Sequence, residues 1–181
     1  MLLRSTVAFM VPCHVARALA WLAVPGLTAW ATAVWAAPPV VCDAGSVAEL
    51  LAAVNAARAQ PRLCGGTPMA AAPPLGWSVL LEGVARRHSA DMATRNFFSH
   101  LGSDGREVGQ RVQAAGTGWS AAAENIAGGP SSVDEVMADW INSPGHCANI
   151  MGPAFLLVGV ACVAQPGSRY GRYWTMVLTR P

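Results

Sequence analysis

The chain has 181 residues, more than half of them hydrophobic, and a formal net charge of +2. All 12 of its basic residues are Arg, and with Arg4 and Arg17 set aside the remaining 10 face 10 Asp plus Glu. That balance leaves no basic stripe for nucleic acid or an anionic membrane surface, and the length suits one domain behind a leader.

Chain order begins with the leader. Arg4, His14 and Arg17 make a positive start, residues 18–30 (ALAWLAVPGLTAW) an apolar core, and Val34 with Ala36 a small-residue cleavage pattern. We read residues 1–36 as a signal peptide cut after Ala36, residues 37–45 as a short N-terminal segment, and residues 46–181 as the folded domain. Pro25 and Gly26 interrupt the apolar run, which falls short of the ~20 residues a spanning helix needs. Such a protein is secreted or periplasmic. In that oxidising setting Cys42, Cys64, Cys147 and Cys162 are expected to form disulfides. Local loop closure favours Cys42–Cys64 and Cys147–Cys162. A zinc site is the alternative, but no pair has C-x-x-C spacing.

Ser46 opens the first helical pattern, with Glu49 completing a capping box and Val47, Leu50, Leu51 and Val54 on one stripe; Pro61 stops it. Residues 61–76 are rich in Pro, Gly and Ala and read as a loop pinned by Cys64. A second helix is expected over 77–96, with Leu80, Leu81, Val84, His88 and Met92 on one stripe. After Phe97-Phe98-Ser99-His100 and a polar turn, residues 106–116 form a third, short helix ending at Gly116. Residues 120–127 are extended. Ser132 caps a fourth helix, Pro144-Gly145 leads into a helical turn, and strands are expected over 155–164 and 172–179. Helices first and strands last give an α+β layered domain. Trp119, Trp140 and Trp174 are expected in the core.

Several chemistries are excluded by absence. No H-E-x-x-H, phosphate loop or dinucleotide fingerprint occurs, and Gly118-Trp119-Ser120 lacks the second glycine of a nucleophile elbow. Adjacent His146 and Cys147 point about 100° apart on a helix and make a poor thiol dyad. His88 on its apolar stripe reads as a buried, hydrogen-bonded histidine. His100 after two phenylalanines, and Glu124 after three alanines, are the unusual placements: a carboxylate in an apolar strand must be paired or it is costly.

Taken in order, HSADMATRNFFSH, DG…R…G, AENIAGG, W-INSPGH-CANIM, VGVAC and YWTMVL resemble the CAP superfamily: cysteine-rich secretory proteins, antigen 5 and pathogenesis-related class-one proteins, with their bacterial SCP-like branch. The resemblance runs from about Ser46 to the C-terminus. It implies an α-β-α sandwich with a small antiparallel sheet, and a cleft where two histidines and two acids meet and in some members bind zinc or another divalent cation. By motif the metal set here is His100, Glu124 and His146. The second acid does not carry over, because its position holds Ser143; Glu135 and Asp139 on the preceding helix are the other cleft candidates. Ser99, Ser143 and Asn125 are candidates to orient the histidines. Two imidazoles and a carboxylate suit zinc with an open position for water; the plainer reading is that Glu124 accepts hydrogen bonds from both histidines. The resemblance implies a binding or interaction module with a lipid, sterol, envelope or host-protein partner. Lipid binding has candidate wall residues in Met69, Pro73, Pro74 and Leu75, for which covering the core is an equal alternative. A metal-assisted peptidase or cell-wall hydrolase is the rival, and the absence of a nameable general base weighs against an enzyme.

Overall fold

The computed structural model describes residues 38–42 and 45–181; the leader and its cleavage site lie outside the described residues. Strand β1 (Val40–Val41) precedes helix α1 (Val47–Arg58), strands β2 (Arg62–Cys64), β3 (Thr67–Met69) and β4 (Gly76–Trp77), and helix α2 (Val79–Arg95). Helix α3 (Val108–Ala114), strand β5 (Ala121–Gly128), helices α4 (Val133–Asn142) and α5 (Pro144–Met151), and strands β6 (Leu157–Ala164) and β7 (Arg172–Arg180) follow. The main sheet runs β1-β6-β7-β5, with β4 pairing β6 in parallel on the same side as β1. The other three pairings are antiparallel, and β5 is the outer strand.

Caps explain the helix limits. Ser46 accepts from Glu49 N–H while the Glu49 carboxylate returns to Ser46, and Ser78 and Ser132 cap α2 and α4 by accepting from Leu81 N–H and Glu135 N–H. Asn96 ends α2 in a left-handed conformation at φ 55°. Two-residue periodicity then assigns the strands to two faces. Val158, Val160 and Cys162 with Trp174, Met176 and Leu178 join Leu50, Val54, Trp140 and Ile150 in the larger core. Ala161 and Val177 meet Leu81 and Val84 of α2 on the opposite face, and Val163, Tyr173 and Ile126 meet Met92. Each large side chain buried this way contributes about 1.5–3 kcal/mol. Gly159 is where α2 comes closest: an added Cβ would collide with the backbone at Leu81 and Glu82.

Several expectations are corrected. Residues 62–69 form a hairpin, not a loop, because Gly65 and Gly66 both take positive φ, as a two-residue turn requires. Trp119 stays 42% exposed, lying over Gly109 with its Nε1–H on Gly109 O. Leu75 belongs to the core and Met69 packs against it, so neither is a wall residue of an open apolar groove.

The disulfides are Cys42–Cys162 and Cys64–Cys147, not the local pairs. Sequence proximity misled because β1 pairs with the far end of β6, and the β2–β3 hairpin sits against α5. The bridges are nested, spanning 120 and 83 residues, so both tie distant segments. Non-reducing peptide mapping is expected to recover only these two linkages. Replacing Cys64 and Cys147 together by Ala is expected to cost about 3–5 kcal/mol in chemical denaturation; recovery of the local pairs would contradict the fold.

Candidate functional site

Alternation along β5 divides the site. Glu124 and Ile126 point towards α2 and α3, whereas Asn125 and Ala127 point towards α4 and α5. Glu124 is therefore a carboxylate buried between layers, with only 2% of its side chain exposed. Left bare it would cost several kcal/mol or more, so its partners define the site.

Arg111 of α3 supplies the main one, its Nη2 donating to Glu124 Oε2. The same side chain donates through Nη1 to the carbonyls of His100 (3.0 Å) and Arg106 (2.6 Å). His100 Nδ1 lies 2.9 Å from Glu124 Oε1, and a proton on that nitrogen is what a carboxylate selects. Nε2 of His100 is thereby left for other partners. His88 Nε2 stands 3.7 Å from the same Oε1 and 3.0 Å from Ser99 O, so it donates to the carbonyl.

Asn125 performs the matching task on the other face. Its Nδ2 donates to His146 O at 3.0 Å, and Asn149 Nδ2 donates to Asn125 Oδ1 at 2.9 Å and to Glu124 O at 3.3 Å. Pro144 at the first turn of α5 fixes where that helix begins. Cys147, locked to Cys64, holds it in place. His146 is thus delivered past the edge of β5, its ring centre 6.4 Å from that of His100. Beside His100 and Glu124 opens a hollow of about 650 Å³, also lined by Ser99, Leu101 and Glu107.

The sequence candidates separate clearly. His100 and Glu124 are in contact and His146 is next to His100. Glu135, in the first turn of α4, accepts from Ser131 N–H (2.6 Å) and Oγ (2.8 Å) ahead of that helix, and no hydrogen bond or ion pair joins it to either histidine. Asp139 is exposed on the same helix, and Ser143 is the junction of α4 and α5, its carbonyl accepting from Cys147 N–H. None of the three replaces the absent second acid.

Arg111 was missed by sequence reasoning. Its signal was present: it shares a face of the short helix with Val108 and Val112, a charged residue on an otherwise apolar side. His88 is buried, as its apolar stripe implies, and it also faces Glu124.

A zinc ion fits this arrangement poorly. Both oxygens of Glu124 are engaged, one by a guanidinium whose positive charge opposes a cation, and two imidazoles alone fall short of the usual three protein donors. Among the described residues no group of three His, Cys, Asp or Glu side chains is gathered tightly enough to hold an ion.

Comparison with known proteins settles the family. The model of the cysteine-rich secretory protein family, CAP, matches residues 51–178. The chain belongs to the CAP family. It is 34% identical over 102 residues to the uncharacterised protein YkwD of Bacillus subtilis, covering 56% of this chain and 38% of that one. A crystal structure of an extracellular protein containing an SCP domain from Bacillus anthracis is 32% identical with a TM-score of 0.54, covering 61% of this chain and 35% of that one. A cysteine-rich secretory protein of Staphylococcus aureus shares the fold at 15% identity and TM-score 0.51, over 74% of this chain and 39% of that one. The chain thus spans well under half the length of these three relatives. Among its described residues no helix is long and apolar enough to cross a membrane.

Within this CAP domain two histidines are held below their ordinary value of 6.5. For His88 burial is the main cause, opposed by Glu124 and reinforced by Arg111. For His146 burial leads and repulsion from His100 adds to it. A depressed histidine makes the unfolded chain the better proton acceptor, so stability falls as pH drops through 6.5 towards the folded values. Carboxylates titrate lower, near about 4, which leaves the pH 7 to 5.5 interval to the histidines. Thermal unfolding midpoints are expected to fall across that interval, and less in His88→Asn; an equal fall in the variant would contradict the assignment.

Proposed function

We propose that the protein is an exported CAP-domain binding module, and that the hollow beside His100 is where it engages its ligand. The observation that carries this reading is the division of labour at Glu124. Its carboxylate is buried and neutralised by Arg111, so it acts as an anchor, while the side chain of His100 is 57% exposed with Nε2 free for a ligand. A general base must reach a substrate proton; a carboxylate with both oxygens committed inside the domain does not. Export is supported by the leader pattern, by two disulfides, and by the Bacillus anthracis relative described as extracellular. The fold alone assigns no activity.

Divalent metal enters this reading only as a weak guest of His100 and His146. Zinc chloride titrated into the purified protein by calorimetry is expected to give micromolar or weaker binding that His100→Ala removes. Casein and peptidoglycan are expected to be cleaved no faster by wild type than by Glu124→Gln. A rate that disappears in Glu124→Gln while circular dichroism stays native would overturn the module reading in favour of a hydrolase.

A further inference from the structure

A second concavity lies on the far side of Arg111 from the hollow. One stripe of α2, with α3 and the turn at 102–106, encloses a groove of about 710 Å³. Arg111 and His88 form part of its lining and both face Glu124, so they separate the groove from the carboxylate. Nothing in the CAP cleft just described uses the rest of this surface.

Its lining includes an exposed cation without a counter-ion among the described residues. Arg87 folds back along α2 over Gly83, where an added Cβ would sit 3.5 Å from Nη1. The ordinary partner for Arg87 is an acid one turn away. Asp91 occupies that position, but its carboxylate accepts from Ser103 N–H (2.8 Å), Ser103 Oγ (2.7 Å) and Arg95 Nε (3.0 Å). Glu82 is taken by Trp77 Nε1–H at 3.1 Å and Arg86 at 4.0 Å. Arg87 makes no hydrogen bond or ion pair with any described residue.

Apolar side chains at the start of α2 line another part of the same groove. Val79 is 78% exposed and Leu80 37% exposed at the start of α2, beside the partly shielded Ala115. From the turn at 102–106, Ser103 Oγ, which donates to Asp91, keeps its acceptor capacity, and Arg106, paired with Asp104 through Nη1, keeps its other donors. We infer that the groove binds the carboxy-terminal residue of a peptide, its carboxylate on Arg87 and its apolar side chain against Val79 and Leu80. A guanidinium takes a carboxylate through two parallel hydrogen bonds, and capture of a free carboxy-terminus is a recurring recognition mode. The polar wall favours a peptide over an acyl chain, because main-chain amides need partners that a hydrocarbon would leave unsatisfied.

The test is fluorescence anisotropy with a fluorescein-labelled Ser-Ala-Ala-Val-Leu peptide, as free acid and as carboxamide. Saturable binding of the acid is expected, weakened about ten-fold or more by amidation and equally by Arg87→Gln. Arg180→Gln, which removes an exposed charge elsewhere, is expected to bind as wild type. Equal affinity for acid and amide, full binding by folded Arg87→Gln, or laurate binding with no peptide signal would each overturn the proposal.

Discussion

The site depends on a single electrostatic constraint: a carboxylate buried on an outer strand must be neutralised by a side chain from another layer. Glu124 is that carboxylate and Arg111 its counter-charge. Bringing two charges out of water costs several kcal/mol each, and close pairing with further hydrogen bonds recovers it. Arg111 fulfils both conditions, since its second amino group ties down the carbonyls of His100 and Arg106. The segment bearing His100 is therefore positioned by the same guanidinium that makes the burial of Glu124 tolerable.

Strand alternation extends this constraint across the sheet. Glu124 reaches α2 and α3, and its neighbour Asn125 reaches α5 through His146 O and Asn149. Two consecutive residues thus connect both helical layers to β5, and His100 and His146 meet at its edge. The Cys64–Cys147 bridge fixes α5 through the residue next to His146. The cleft is consequently built by the layers and not by any one loop, which suits a fixed recognition surface.

Local signals in the sequence were reliable where the physics is local. Ser46, Ser132, Asn96 and Pro144 mark helix ends through hydrogen bonds to near neighbours, and the apolar periods of β6 and β7 map directly onto two core faces. The odd placement of Glu124 pointed correctly to a paired carboxylate. Non-local facts were hidden. Which cysteines meet depends on β1 joining β6, a pairing of two residues that leaves almost no pattern. Glu135 has the right charge and position for a cleft acid, but its own helix terminus claims it. Arg111 shares a face with Val108 and Val112, but the seven residues of α3 are too few for that pattern to identify which carboxylate it meets.

The most direct test of the Glu124–Arg111 pair is a double-mutant cycle read by urea denaturation. Glu124→Gln and Arg111→Met are each expected to destabilise the domain, and the combined variant to fall short of their sum by about 2 kcal/mol or more, since each single change strands a buried charge. Effects that add to within about 0.5 kcal/mol would mean that the two residues do not depend on each other, and the account of the site would fail.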